Sequence, residues 1–168
     1  EVCVLADETS RPAFVAADLL SQAEHGADSQ VLLITTSAEL IPAVQEELTR
    51  QLDLLPRAEI ARKALENSKI VLVRTADEMM ELSNDYAPEH LIIETKDYMQ
   101  MAAKVINAGS VFLGHWTPES AGDYASGTNH TLPTHGYAVA YNGVNLDSYM
   151  RKVTFQHITP EGVSHIGP

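Results

Sequence analysis

The segment SAGDYASGTNHTLPTHG, residues 120–136, gathers side chains of the kind that bind and orient other groups. It contains three glycines, an aspartate, two histidines and several hydroxyl groups, and few residues that could fill a core. Asp123 follows Gly122, where the backbone can approach a ligand closely. The alternative interpretation of Asp123 is a turn-forming residue. The composition predicts a binding loop, with Asp123 as a candidate oxygen ligand.

A second candidate pair stands in a segment with helical periodicity. Gln22 and His25 are three residues apart, so a helix would place them on one face. Together with Asp123 they would offer an imidazole nitrogen, an amide oxygen and a carboxylate, a mixed set that suits zinc or a similar divalent ion. The alternative is a solvated or capping helix face.

The third candidate is the pair Glu89–His90, which follows Pro88. A histidine can take up and return protons near neutral pH. A carboxylate beside it can activate a water molecule. The alternative interpretation is a polar start to a strand.

Alternating strand and helix patterns must position these residues. Five short apolar runs predict strands: VCVLA, QVLLITT, KIVLVRT, HLIIET and SVFLG. The segments between them predict helices at 11–25 with Ser10 as N-cap, at 38–55 with Ser37 as cap, and at 57–68, 76–87 and 96–108. Apolar strands alternating with amphipathic helices predict a doubly wound α/β fold: a mostly parallel sheet with helices on both faces, similar to an incomplete Rossmann-like domain.

The position of the binding residues follows from that fold. Ligands of doubly wound sheets bind beyond the carboxyl ends of the strands, so we expect Gln22, His25 and Asp123 to converge there within a few ångströms. The regular pattern stops near Gly114, which predicts an irregular C-terminal extension. No G-x-G-x-x-G motif is present, so the sequence contains no recognisable nicotinamide-binding motif.

Length and charge limit the classes of protein. The 168 residues predict one α/β domain at 1–144, bearing the site, and a linker at 145–168 toward a further C-terminal region. The net charge of −12 argues against nucleic-acid and anionic-membrane partners. The single cysteine, Cys3, and the lack of a visible signal peptide favour the cytoplasm, or a plastid in a plant. Both ends look cut, so we expect a piece of a longer protein.

Four stretches together resemble the histidinol dehydrogenase family: DLLSQAEHG, YAPEHL, AGSVFLGHWTPESAGDYASGTNHTLPTHG and ITPEG. The resemblance extends over nearly the whole chain. It implies a zinc-dependent homodimer that oxidises L-histidinol to L-histidine in two successive NAD-dependent steps, through histidinaldehyde held on the enzyme. This reaction is the last step of histidine biosynthesis.

The resemblance also implies roles for individual residues. It assigns zinc and substrate binding to Gln22, His25 and Asp123, proton transfer to Glu89 and His90, and substrate contact to His90 and His130. It places a further zinc-ligand histidine on the partner subunit and most of the NAD site outside this chain. We therefore expect the isolated 168 residues to be inactive.

Two other function classes remain open from the residues alone. One is a metal-dependent hydrolase that uses the same carboxylate, histidine and metal donors, and turnover without NAD would favour it. The other is an inactive fragment that acts only as a folded interaction domain.

Overall fold

The computed structural model describes residues 1–167. Its strands are β1 (Val2–Ala6), β2 (Val31–Thr35), β3 (Lys69–Leu72), β4 (His90–Glu94) and β5 (Ser110–Leu113). Its helices are α1 (Pro12–Ala23), α2 (Leu40–Leu52), α3 (Ala58–Glu66), α4 (Ala76–Tyr86), α5 (Tyr98–Ala102), α6 (Glu119–Ala121) and α7 (Pro160–Ile166). A π-helical turn (Gly122–Ser126) and two 3₁₀ turns (Tyr137–Val139 and Leu146–Tyr149) lie in the C-terminal third.

The strands form one parallel sheet in the order β3-β2-β1-β4-β5. Val2 at the start of β1 lies opposite Val31 of β2 and His90 of β4. The chain winds outward from β1 to β3 and then crosses to β4 on the other side. This topology confirms the predicted doubly wound α/β fold, with helices on both faces.

The two faces of the sheet are covered by different helices. Along β1, Val2 and Val4 pack in the core cluster that also holds residues of α1, α2 and α3, whereas Cys3 and Leu5 pack with methionines of α4 and α5. All four side chains are fully buried. The alternation follows from the pleat of the strand, which points successive side chains to opposite faces. Burial raises the pKa of the Cys3 thiol, so this cysteine is a core residue.

The start of α1 differs from its prediction. Pro12 is the first helical residue and Arg11 occupies the N-cap position without a side-chain cap. The Ser10 hydroxyl donates instead to the Glu94 carbonyl at 2.7 Å and accepts from the Asp7 N–H at 3.0 Å. Ser10 is therefore not the N-cap, because its hydroxyl joins the turn after β1 to the end of β4.

The start of α2 also differs from its prediction. The helix begins at Leu40, with Glu39 in the N-cap position. The Ser37 hydroxyl still accepts from the Leu40 N–H at 3.3 Å, so Ser37 satisfies one helix donor without being the N-cap itself.

Helix α5 is much shorter than the predicted 96–108. After Ala102, the side chain of Asn84 on α4 forms hydrogen bonds with the backbone of residues 104–106. Its carbonyl accepts from the Ile106 N–H at 2.8 Å, and its amide donates to the Lys104 carbonyl at 3.1 Å. These contacts between elements replace the hydrogen bonds that would continue the helix.

The chain beyond β5 is irregular, as predicted. Residues 145–167 are largely exposed and contain only a short 3₁₀ turn and α7. Within residues 1–167 every helix is too short or too polar to cross a bilayer.

Candidate functional site

The candidate residues gather at the amino edge of the sheet, meaning the side where the strands begin. His90 is the first residue of β4 and Glu89 precedes it. Helix α1 runs back from the end of β1 to the start of β2, so Gln22, on its last turn, reaches the same edge. The predicted position at the carboxyl edge is wrong. A helix that crosses between parallel strands ends where the next strand begins, so residues near its C-terminus lie at the amino edge.

His25 lies outside α1 rather than on it. The helix ends at Ala23, and His25 stands in the following turn, where its N–H donates to the Gln22 carbonyl at 3.1 Å. The prediction that Gln22 and His25 share a helix face is therefore wrong in detail. The turn nevertheless keeps both side chains at the same cavity.

The segment after β5 returns along the sheet to reach this edge. Gly122 is buried against the ring of Phe112 on β5, and a Cβ at Gly122 would meet that ring at 2.8 Å. Further on, Leu132 lies so close to Gly109, just before β5, that a Cβ there would meet the Leu132 side chain at 3.2 Å. Between these two contacts the chain carries Asp123 and His130 to the amino edge.

A cavity of about 590 Å³ opens where these elements meet. Its wall contains all six residues singled out by sequence: Gln22, His25, Glu89, His90, Asp123 and His130. Glu119, Tyr124, Thr131 and Leu132 complete the lining. The loop and the two sequence motifs thus contribute to one space, although they are separated along the chain.

The cavity contains donor atoms of the kind that bind zinc. Gln22 is 5% exposed, and its amide oxygen has no hydrogen-bond partner within residues 1–167. A buried amide oxygen is costly to leave unpaired, so it fits the position of a ligand. A carboxylate oxygen of Asp123 lies 4.0 Å from Nδ1 of His130, and the exposed His25 adds an imidazole to the same wall. Amide oxygen, imidazole and carboxylate form the mixed set expected for zinc.

His90 is buried and its ring is oriented from several sides. Nδ1 lies 3.4 Å from the Glu1 carbonyl oxygen and 3.8 Å from a carboxylate oxygen of Glu89. Both atoms are acceptors, and Nε2 also faces one, a carboxylate oxygen of Glu119 at 3.7 Å. The Phe112 ring lies beside the imidazole with centroids 6.1 Å apart.

Glu89 lies next to this ring. Its Oε2 is 2.7 Å from the terminal nitrogen of Glu1, the residue before β1. The side chain remains 15% exposed, so water can reach it. Pro88 and the start of the strand therefore hold an acid and a base side by side at the cavity wall.

Sequence reasoning missed Glu119. This residue is 3% exposed, and ligand-type atoms of His90, Glu119 and Asp123 lie within 4.8 Å of one another. Its only sequence feature was an acidic residue after Pro118 in an irregular stretch, which is ordinary for a solvated loop. The site therefore holds a second compact donor set besides the predicted one, and His25 is not part of that second set.

The fold and this cavity define the class of protein: a doubly wound α/β domain with a polar site at the amino edge of its sheet. The family model described as histidinol dehydrogenase matches residues 1–168. The chain belongs to the histidinol dehydrogenase family.

Individual relatives agree with the family match. Histidinol dehydrogenase of Bacteroides thetaiotaomicron is 68% identical over 168 residues, covering 100% of this chain and 39% of that protein. The chloroplastic histidinol dehydrogenase of Arabidopsis thaliana is 54% identical, with 100% and 36% covered. The crystal structure of histidinol dehydrogenase from Elizabethkingia anophelis superposes with a TM-score of 0.93 at 52% identity, covering 98% of this chain and 38% of that one. The chain thus spans about two fifths of the length of these relatives.

Proposed function

We propose that the protein to which this chain belongs is a zinc-dependent dehydrogenase that oxidises L-histidinol to L-histidine, with two NAD molecules as hydride acceptors. The observation that carries the proposal is the cavity at the amino edge, which combines an acid–base pair with metal-type donors. Family membership names the substrate, and the cavity explains how the chain would act on it.

The zinc ligands come from this chain and from the partner subunit. Gln22, His25 and Asp123 would hold zinc together with a histidine of the partner subunit in a homodimer. When bound, the metal supplies positioning and polarisation of the imidazole and amino groups of the substrate. The unpaired Gln22 amide oxygen supports this assignment, because a ligand role would satisfy it.

His90 is the base of the first oxidation. The alcohol loses its hydroxyl proton to Nε2 of His90 while the carbon-bound hydride leaves to NAD, which gives the aldehyde. We place the ring proton on Nδ1, because its nearest acceptor, the Glu1 carbonyl oxygen at 3.4 Å, is closer than the Glu119 carboxylate is to Nε2, at 3.7 Å. A buried ring that is already oriented has little freedom to lose in the transition state.

Glu89 acts between the two oxidations. Its carboxylate takes a proton from a water molecule as the water adds to the aldehyde carbon, which yields the hydrate. His90 then removes a proton again as the second hydride leaves, and the carboxylic acid forms. The partial exposure of Glu89 supports this role, because the water must reach it. His130, at the exposed side of the cavity, contacts the substrate.

The domain boundaries follow from the same proposal. Residues 1–144 form the α/β domain with the site, and residues 145–168 connect it to a further region. Most of the NAD site lies in parts of the protein outside this chain. The isolated 168 residues are accordingly expected to produce no NADH.

The test uses the full-length protein with L-histidinol and NAD, and it follows NADH absorbance and histidine together. The expected result is two NADH per histidine, loss of turnover after chelation of the metal, and recovery on adding zinc. Absence of NADH together with metal-dependent hydrolysis of an ester or amide test substrate would contradict the proposal and support the metal-dependent hydrolase, for which the compact group of His90, Glu119 and Asp123 would be the metal site. Folded, zinc-loaded protein without any turnover would contradict both.

A further inference from the structure

Glu119 is a buried carboxylate with a defined place between two functional elements. It is the first residue of α6, after Pro118 in extended conformation, and it is 3% exposed. A charged side chain this buried needs partners, because desolvation is expensive otherwise. The proposed function gives Glu119 no role, so the residues that contact its carboxylate indicate what it does.

One partner ties Glu119 to α1. Its Oε2 lies 3.1 Å from the Ser21 hydroxyl, which also lies 2.8 Å from the Asp18 carbonyl. Ser21 immediately precedes Gln22, the residue whose amide oxygen lines the cavity. Glu119 therefore has a direct link to the helix turn that carries the metal-type donors.

The other partner is His90. Oε1 of Glu119 lies 3.7 Å from Nε2, longer than a hydrogen bond but within the distance of an ion pair once the ring is protonated. The Glu1 carbonyl lies on the opposite side of the ring, 3.4 Å from Nδ1. The imidazole is thus placed between two acceptors. When Nε2 takes up a proton, the N–H that forms faces the Glu119 carboxylate, and such charge-assisted hydrogen bonds are the strong ones.

We propose that Glu119 is a positioning residue for His90: its carboxylate, held by Ser21, accepts the Nε2–H once Nε2 has taken up a proton and so keeps the protonated ring at the cavity wall. This inference rests on the proposed function for its kinetic consequences. Glu119 acts through His90, because its nearest partners are the imidazole and the Ser21 hydroxyl.

The kinetic test compares Glu119→Gln with Glu66→Gln in full-length, zinc-loaded protein. Glu66, at the end of α3, is exposed and serves as the matched control. Glutamine keeps the size of Glu119 and the hydrogen bond to Ser21 but removes the charge. The expected loss in kcat is about 10- to 100-fold, the usual value of a hydrogen bond to a charged group. KM for histidinol should change by less than about threefold, because ground-state binding is retained.

Zinc content separates positioning from ligation. Glu119→Gln should bind as much zinc as the control, measured by elemental analysis. A fall in zinc that matches the fall in activity would overturn the proposal and make Glu119 a metal ligand. An unchanged kcat would overturn it as well.

A structural readout tests the same idea without turnover. In crystals of Glu119→Ala the His90 ring should rotate away from its place beside Phe112, whereas in Glu119→Gln it should stay. An unmoved ring in the alanine variant would overturn the positioning role. This arm remains informative if the wild-type protein does not oxidise histidinol, so failure of the proposed function and failure of the positioning role give different results.

Discussion

The two edges of the sheet each hold a buried carboxylate beside a histidine, yet their surroundings differ. At the amino edge Glu119 lies 3.7 Å from Nε2 of His90, in the wall of a cavity of about 590 Å³. At the carboxyl edge Glu94 lies 3.9 Å from Nδ1 of His115. The first pair is accompanied by further metal-type donors at the same cavity, whereas the second lies beside another buried acid, Asp18.

The carboxyl edge holds two neighbouring buried acids, Asp18 and Glu94. Burial raises the pKa of Glu94 well above its usual range, and Asp18 beside it adds to the shift. Burial likewise raises the pKa of Asp18. Neither oxygen of Glu94 has a hydrogen-bond partner within residues 1–167, and burial favours the protonated form of this carboxyl group. Phe14 and Trp116 border the smaller cavity of about 270 Å³ next to this pair.

The comparison shows that topology alone does not predict which edge carries the candidate site. In doubly wound sheets the carboxyl edge is the usual ligand position. Here the end of α1 and the segment after β5 carry the metal-type donors to the amino edge. The difference between the edges can be tested by changing matched residues at each.

The largest contrast is expected between the two histidines. In full-length protein His90→Ala should lower kcat by about 10²- to 10⁴-fold with zinc still bound, the usual effect of losing an acid–base group. His115→Ala should leave kcat within about threefold, because this histidine lies at the other edge. The measurements are steady-state kinetics and zinc content. Equal losses for both variants would contradict a functional difference between the edges.

The buried acid pair predicts a pH effect on stability. The folded-state pKa of Glu94 is raised to about 9, above its unfolded value, so the folded protein keeps a proton that the unfolded chain releases. The resulting stabilisation is full below the ordinary glutamate pKa and is lost as the pH rises toward about 9. Glu94→Gln removes this titration, so the decline in the free energy of unfolding should flatten.

Denaturant titrations of the full-length protein at several pH values measure that slope. Glu81→Gln, an exposed position on α4, is the control and should keep the wild-type decline. If Glu94→Gln retained the full slope, the raised pKa of Glu94 would not be the cause of the decline.

The smallest effect is expected for Trp116. Its side chain is 73% exposed, meets Phe14 edge-on at 5.3 Å, and has the Arg11 guanidinium 4.8 Å above its ring. Trp116→Ala should lower the free energy of unfolding by about 1 kcal/mol, the value of such aromatic and cation–π contacts at an exposed site. Thermal denaturation and kinetics check this together. A large loss of kcat would show that the carboxyl edge influences catalysis.

Local patterns were sufficient for most of the fold. The five apolar runs became the five parallel strands, since short apolar segments between amphipathic helices can bury both faces only in such a sheet. The boundaries of α1 and α5 were less predictable. Ser10 and Asn84 make hydrogen bonds to residues distant in sequence, and no local periodicity reveals such partners.

For the site, the sequence by itself determined the chemical types: an acid–base pair at Glu89 and His90, and a loop with Asp123. The tertiary structure decided where they lie and what joins them. The path of residues 114–136 depends on contacts between residues far apart in sequence, such as Leu132 against Gly109, so the return to the amino edge could not be predicted from spacing. Glu119 could not be predicted for the same reason, because its position depends on the tertiary structure. In sequence it resembles any acidic loop residue, and only its burial between α1 and His90 distinguishes it.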